Sequence, residues 1–228
     1  MKFEELRAQL EEDLAWRLDE IRHLRNALLG DVDQSQWPTA ALRAILVMQY
    51  AHVEGFAHNA FSMYVDAINA RKLRAHEIRA HLFACALTPE FDEIRRGGSE
   101  QETAEGRLTR RANSQVKFVD KLRTLGNSEV VIDADRSISM EMNFGADVLR
   151  RTFFMLAIPE SAVDHAYYTS LEFVRRARND VAHGSRTEVI SPRLFDRHQK
   201  VCEQFMNELA RLIGSAVRQE WFMASAAV

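Results

Sequence analysis

Apolar residues recur at a helical period along almost the whole chain, and helix-stopping residues fall between those runs. Gly and Pro number only 9 and 4 in 228 residues, too few for an architecture built of many tight turns. Leu6, Leu10, Leu14, Leu18, Ile21, Leu24 and Leu28 form one stripe and predict a helix over Phe3–Leu29, ended by Gly30. Residues 30–38 read as a loop. Thr39 is a candidate cap for a second helix to about Asn69, and that helix is apolar on most sides. Such a helix belongs in the middle of a bundle.

Further helices are predicted over Arg71–Leu87, stopped by Pro89, and over Arg107–Leu125. The same pattern predicts Phe144–Ile158, closed by Pro159, then Ser161–His183, stopped by Gly184, and Ser191–Phe222. Residues 95–106 form the most linker-like stretch and predict a flexible loop, and Val130–Ile132 is the one short β-like run. The expectation is one all-α domain spanning residues 1–228, an antiparallel bundle of about seven helices.

Composition narrows the function classes. Net charge is −3, so no global positive field marks a nucleic-acid partner. Basic residues are skewed to 25 Arg against 5 Lys, which suits phosphate recognition but also follows from a GC-rich genome. Cys85 and Cys202 stand alone, without the spacing of a zinc ribbon or a disulfide framework. The acidic, amphipathic start of the chain does not read as a signal peptide, and Ala40–Ala57 is too polar for a membrane span. These features predict a cytoplasmic protein with no membrane contact.

The chemistry-bearing segment is Arg175-Arg176-Ala177-Arg178-Asn179-Asp180-Val181-Ala182-His183-Gly184. Asn179 and His183 are four apart and share a helix face, and Arg178 is adjacent to it. The cluster offers a fixed cation, an amide and a group that titrates near neutrality. Those parts suit metal-free RNA cleavage through the 2′-hydroxyl, with His183 moving a proton and Arg178 holding the charge that develops on phosphorus. The structural alternative is a helix C-terminus stabilised by basic side chains and capped by Gly184. Spacing alone does not separate them, because His23, His76, His81 and His198 also have an arginine before them with four to six residues between.

The fuller pattern, Arg-Asn-x-x-x-His-Gly at a helix end in the C-terminal half, resembles the HEPN superfamily of ribonuclease domains. It is similar to the bacterial MAE-type or RiboL-PSP-like branch found with toxin–antitoxin and phage-defence loci. The resemblance also rests on HVEGFAHNAFSMYVDAI and MNFGADVLRRTFFMLAIPE, in that order before RNDVAHG. It implies Arg178 and His183 as the catalytic pair, Asn179 as polar helper and Glu54 as the acidic residue on a neighbouring helix. Arg175 and Arg176 would contact substrate, and neither metal nor cofactor is required. The apolar neighbours of Glu54 (Tyr50, Val53, Phe56, Ala57, Phe61) independently demand a partner for its carboxylate, for which Arg178 is the candidate.

The resemblance further implies an RNA substrate, a homodimer with a composite active site, and a cognate antitoxin or defence partner. Two readings stay beside it: a catalytically inactive HEPN-like module binding nucleotide, RNA or a partner protein, and a plain helical scaffold. A scaffold would bury or cap His183, whereas a nuclease must present it.

Overall fold

The structure is a computed structural model and describes residues 3–96, 103–126, 128–140, 143–184 and 190–225. Among them it is all-helical, with nine α-helices: α1 (Phe3–Leu29), α2 (Thr39–Asn69), α3 (Ala80–Ala86), α4 (Thr88–Arg95), α5 (Ala104–Leu125), α6 (Ala134–Ser137), α7 (Ala146–Met155), α8 (His165–Ala182) and α9 (Pro192–Arg218). No described helix is long and apolar enough to cross a membrane.

Cross-contacts fix the direction of the four long core helices. Asn59 donates to Asp13 at 2.8 Å and His52 Nε2 lies 2.8 Å from Glu20, so α1 and α2 run antiparallel. Arg25 donates to Asp196 at 2.8 Å, which places the end of α1 beside the start of α9. Gln49 reaches the Gln199 carbonyl at 2.9 Å, and Tyr64 packs on Phe222, so α2 and α9 run parallel. His198 meets Ser170 and Phe205 meets Tyr167, so α8 opposes α9. The bundle is therefore a parallel α2–α9 pair flanked by two helices of opposite direction. α8 returns the chain between the parallel α2 and α9, and residues 70–164 with α3–α7 join the end of α2 to the start of α8. Tyr64, Phe56, Phe61, Phe205 and Leu42 are fully enclosed where α2 meets its neighbours.

The structure corrects several boundaries. No helix spans Arg71–Leu87: α2 ends at Asn69 and Lys72 takes a left-handed φ of 55°. Tertiary pairing overrides the local pattern here. Asn69 exchanges two amide hydrogen bonds with the Ile132 backbone, and Val130 N–H donates to the Leu73 carbonyl at 2.7 Å. Arg79 N–H donates to Phe222, at the far end of the chain. The β-like run at Val130–Ile132 forms no strand, because these loop and side-chain partners use its backbone groups instead.

Pro89 does not stop a helix. It lies in the first turn of α4, where a missing N–H costs nothing. Thr39 is the first helical residue of α2 rather than its cap. α8 starts at His165, with Asp164 accepting from Ala166 N–H, not at Ser161. α9 stops at Arg218 rather than Phe222. Thr103 caps α5, which starts three residues before Arg107; residues 97–102 of the linker-like stretch lie outside the described residues.

Candidate functional site

The end of α8 is built as the sequence pattern requires. Leu171, Val174 and Ala177 are buried against the bundle, which turns Arg178 and Asn179 to its edge. His183 is the C-cap residue, its N–H donating to the Asn179 carbonyl at 2.9 Å, and its side chain is exposed. Gly184 follows with φ +65°, the left-handed stop that glycine adopts without a Cβ penalty.

Arg178 leans across to α2, with its guanidinium carbon 4.0 Å from the centre of the Tyr50 ring. Tyr50 is itself fixed. Its hydroxyl donates to Glu54 Oε1 at 2.9 Å and accepts from Phe144 N–H at 2.6 Å. Phe144 N–H also lies 3.2 Å from Glu54 Oε1. Burial pushes the Tyr50 phenol up to about 12, with Glu54 adding to the rise and Arg178 opposing it. The hydroxyl therefore keeps its proton near neutral pH and can donate to Glu54. Glu54 and Arg178 thus meet at one tyrosine.

A second arm comes from the segment before α7. Asn143 Oδ1 accepts from Arg175 Nη1 at 3.0 Å and from Asn179 Nδ2 at 3.2 Å. Glu172 takes the rest of Arg175, at 3.0 and 2.7 Å, and Arg176 Nε at 2.6 Å. The Arg175 guanidinium, with Arg176 behind it, holds the Glu172 carboxyl down at about 2. Gly145 makes this crossing possible: a Cβ there would lie 2.6 Å from Arg175 Cδ.

Of the residues singled out in the sequence, Arg175, Arg178, Asn179 and Glu54 are drawn into this half-buried network. Arg176 and His183 face solvent. Sequence reasoning missed Tyr50, Asn143 and Glu172. The signals were present: Tyr50 precedes Glu54 by one turn, and Glu172 precedes Arg175 and Arg176 by three and four. Asn143 lies in the MNFGADVL segment but carries no spacing that marks it. His52 is buried edge-on to Trp16 at 5.2 Å and does not reach the site. No group of three or more His, Cys, Asp or Glu among the described residues is placed to hold a metal ion.

An all-helical fold whose α8 ends in Arg-Asn-x-x-x-His-Gly, braced from α2 and the start of α7, has the form of a HEPN-type domain. The family model HEPN_MAE_28990, a HEPN-like family, matches residues 6–222, and the chain belongs to that family. No curated protein and no solved structure matches it significantly.

Proposed function

We propose that this chain is a metal-independent endoribonuclease, acting as a homodimer in a toxin–antitoxin or phage-defence system. A ribose 2′-oxygen would attack the adjacent phosphorus as its proton leaves, and the 5′-oxygen would depart with a proton. The products are a 2′,3′-cyclic phosphate and a 5′-hydroxyl end. His183 handles one of these protons and Arg178 neutralises the phosphorane oxygens. Asn179 orients the phosphate, Arg175 and Arg176 add positive potential, and Glu54 acts through Tyr50 on Arg178.

The observation that carries this reading is the contrast between the two motif residues. Arg178 is braced by an aromatic ring that is itself hydrogen-bonded at both faces of its hydroxyl, while His183 is exposed five residues on. A braced cation beside an accessible imidazole suits catalysis better than capping, which would need neither the brace nor the exposure.

The dimer is supported by the outer face of α2. Its exposed positions Ala40, Ala44, Val47, Met48 and Ala51 carry no charge, and this face ends at Glu54. A second copy seated there would bring two exposed His183 side chains towards one cleft and wall it from water.

The test is incubation of the purified protein with RNA in excess EDTA. Wild type should cleave and leave cyclic-phosphate ends, and His183→Ala and Arg178→Ala should each lose about 10²–10⁴-fold in rate. Val47→Glu should yield a monomer and lose cleavage with it. Folded, dimeric wild type that leaves RNA intact would refute the proposal.

A further inference from the structure

α7 lies antiparallel against α8, with Gly145 beside Arg175 and the Arg150 guanidinium 4.6 Å over the Tyr168 ring. Two surface cavities follow this pair of helices. One, of about 430 Å³, is lined by Arg176, Glu172, Thr169, His165, Tyr168 and Arg150. The other, of about 300 Å³, is lined by Arg150, Glu160, Phe154, His81 and Arg79. Arg150 lines both, so the two adjoin at that side chain and make one segmented groove. It starts at Arg176, on the α8 face that His183 shares seven residues on, and ends at Phe154.

Phe154 is the most exposed aromatic among the described large hydrophobics, at 67 %, and its ring stands edge-on to His81 at 4.8 Å. The backbone behind it is unusual as well. Ala157 closes the turn with φ 56°, a conformation that costs a non-glycine residue free energy. Arg150, partly exposed, and Arg176, exposed, line the groove but are already matched, Arg150 to Glu160 at 2.8 Å and Arg176 to Glu172. From Arg176 to Tyr168 and on to Phe154 the path is roughly 18 Å by helix rise.

We infer that this groove is a track for single-stranded RNA, leading from the end of α8 along α7 to a base-stacking platform at Phe154. This inference rests on the nuclease reading for its ligand class. Guanidinium groups along the floor suit phosphate oxygens, and an exposed ring suits the face of an unstacked base. A duplex keeps its bases stacked inside and has no use for Phe154. Because the arginines are pre-paired with carboxylates, binding draws on stacking more than on net charge, and its salt dependence is shallow.

A competing surface exists on the same chain. α5 carries six basic and two acidic residues, and Arg107 and Arg111 on it are exposed. RNA held there would show a steep salt dependence.

The experiment uses a fluorescein-labelled 2′-O-methyl octanucleotide, which cannot undergo 2′-hydroxyl attack, titrated with the wild-type protein and read by fluorescence anisotropy. Phe154→Ala and Arg150→Gln should each raise Kd about tenfold or more, with folding checked by thermal melting. The Arg107→Gln/Arg111→Gln double variant should bind as wild type does. An oligonucleotide carrying 5-iodouridine should photo-crosslink to the Phe154 peptide. Unchanged affinity in Phe154→Ala and Arg150→Gln, a crosslink on α5, or equal competition by duplex RNA would each overturn the track. Cleavage is scored separately. An inert protein that still binds through Phe154 refutes the nuclease and keeps the track, and a nuclease indifferent to Phe154 does the reverse.

Discussion

The Arg178 guanidinium sits 4.0 Å from the centre of the Tyr50 ring, and this contact joins the end of α8 to the middle of α2. The ring faces the cation, and the hydroxyl, which Arg178 also reaches, anchors the ring to Glu54 and to the Phe144 backbone. Tyr50→Phe should therefore keep the ring and lose the hydrogen bonds of the hydroxyl, lowering stability by about 1–2 kcal/mol. Tyr50→Leu should also lose the cation–π contact and reduce RNA cleavage about tenfold or more. Denaturant unfolding and single-turnover cleavage, measured on both variants, separate the two effects. Equal cleavage by the two would exclude the brace.

Asn143 bridges Arg175 and Asn179 through one carbonyl oxygen. Asn143→Ala removes the shared acceptor and should cost about 1–2 kcal/mol in stability, with some loss of cleavage as Asn179 is released. Asn143→Asp retains the acceptor and should recover most of the stability. Thermal melting of the pair gives the comparison.

Gly184 has φ +65°, and no atom lies within 4 Å of where a Cβ would stand. Gly184→Ala is thus penalised by backbone conformation alone, by about 1–2 kcal/mol. Gly184→Asn should be milder, since asparagine visits this region more readily. Urea midpoints at constant slope would show the order Gly, Asn, Ala.

His198 is buried between α8 and α9, stacked on Phe173 at 4.0 Å and hydrogen-bonded to Ser170. Burial, with Arg197 nearby, lowers its pKa below the usual 6.5, and burial does the same for His52 despite the opposing carboxylate of Glu20. The unfolded chain then binds more protons than the folded one as pH drops. Stability from these two groups is complete above about pH 6.5 and is lost progressively below it, towards their lowered folded pKa values. Melting temperature should fall between pH 7.5 and pH 5, and His198→Gln should flatten that dependence. A melting temperature that rises on acidification would contradict the neutral, buried state of these rings.

Helix identity was legible in the sequence wherever apolar spacing ran long, as in α1, α2, α8 and α9. The stop at Gly184 and the solitary state of Cys85 and Cys202 were legible too, because each depends on local chemistry. The same holds for the segment holding Arg178, Asn179 and His183, whose residues are neighbours along one helix. Where the sequence misled, at Arg71–Leu87 and Val130–Ile132, the deciding hydrogen bonds come from Asn69, Leu73 and Phe222, partners up to about 140 positions apart in the chain. Local propensity is worth tenths of a kcal/mol per residue, and a set of tertiary backbone pairings outweighs it. The parallel pairing of α2 with α9, the placement of Tyr50 under Arg178, and the reach of Asn143 to Arg175 and Asn179 were decided by tertiary structure alone. Each depends on how helices cross, and no spacing within one helix encodes the contact a side chain makes on another.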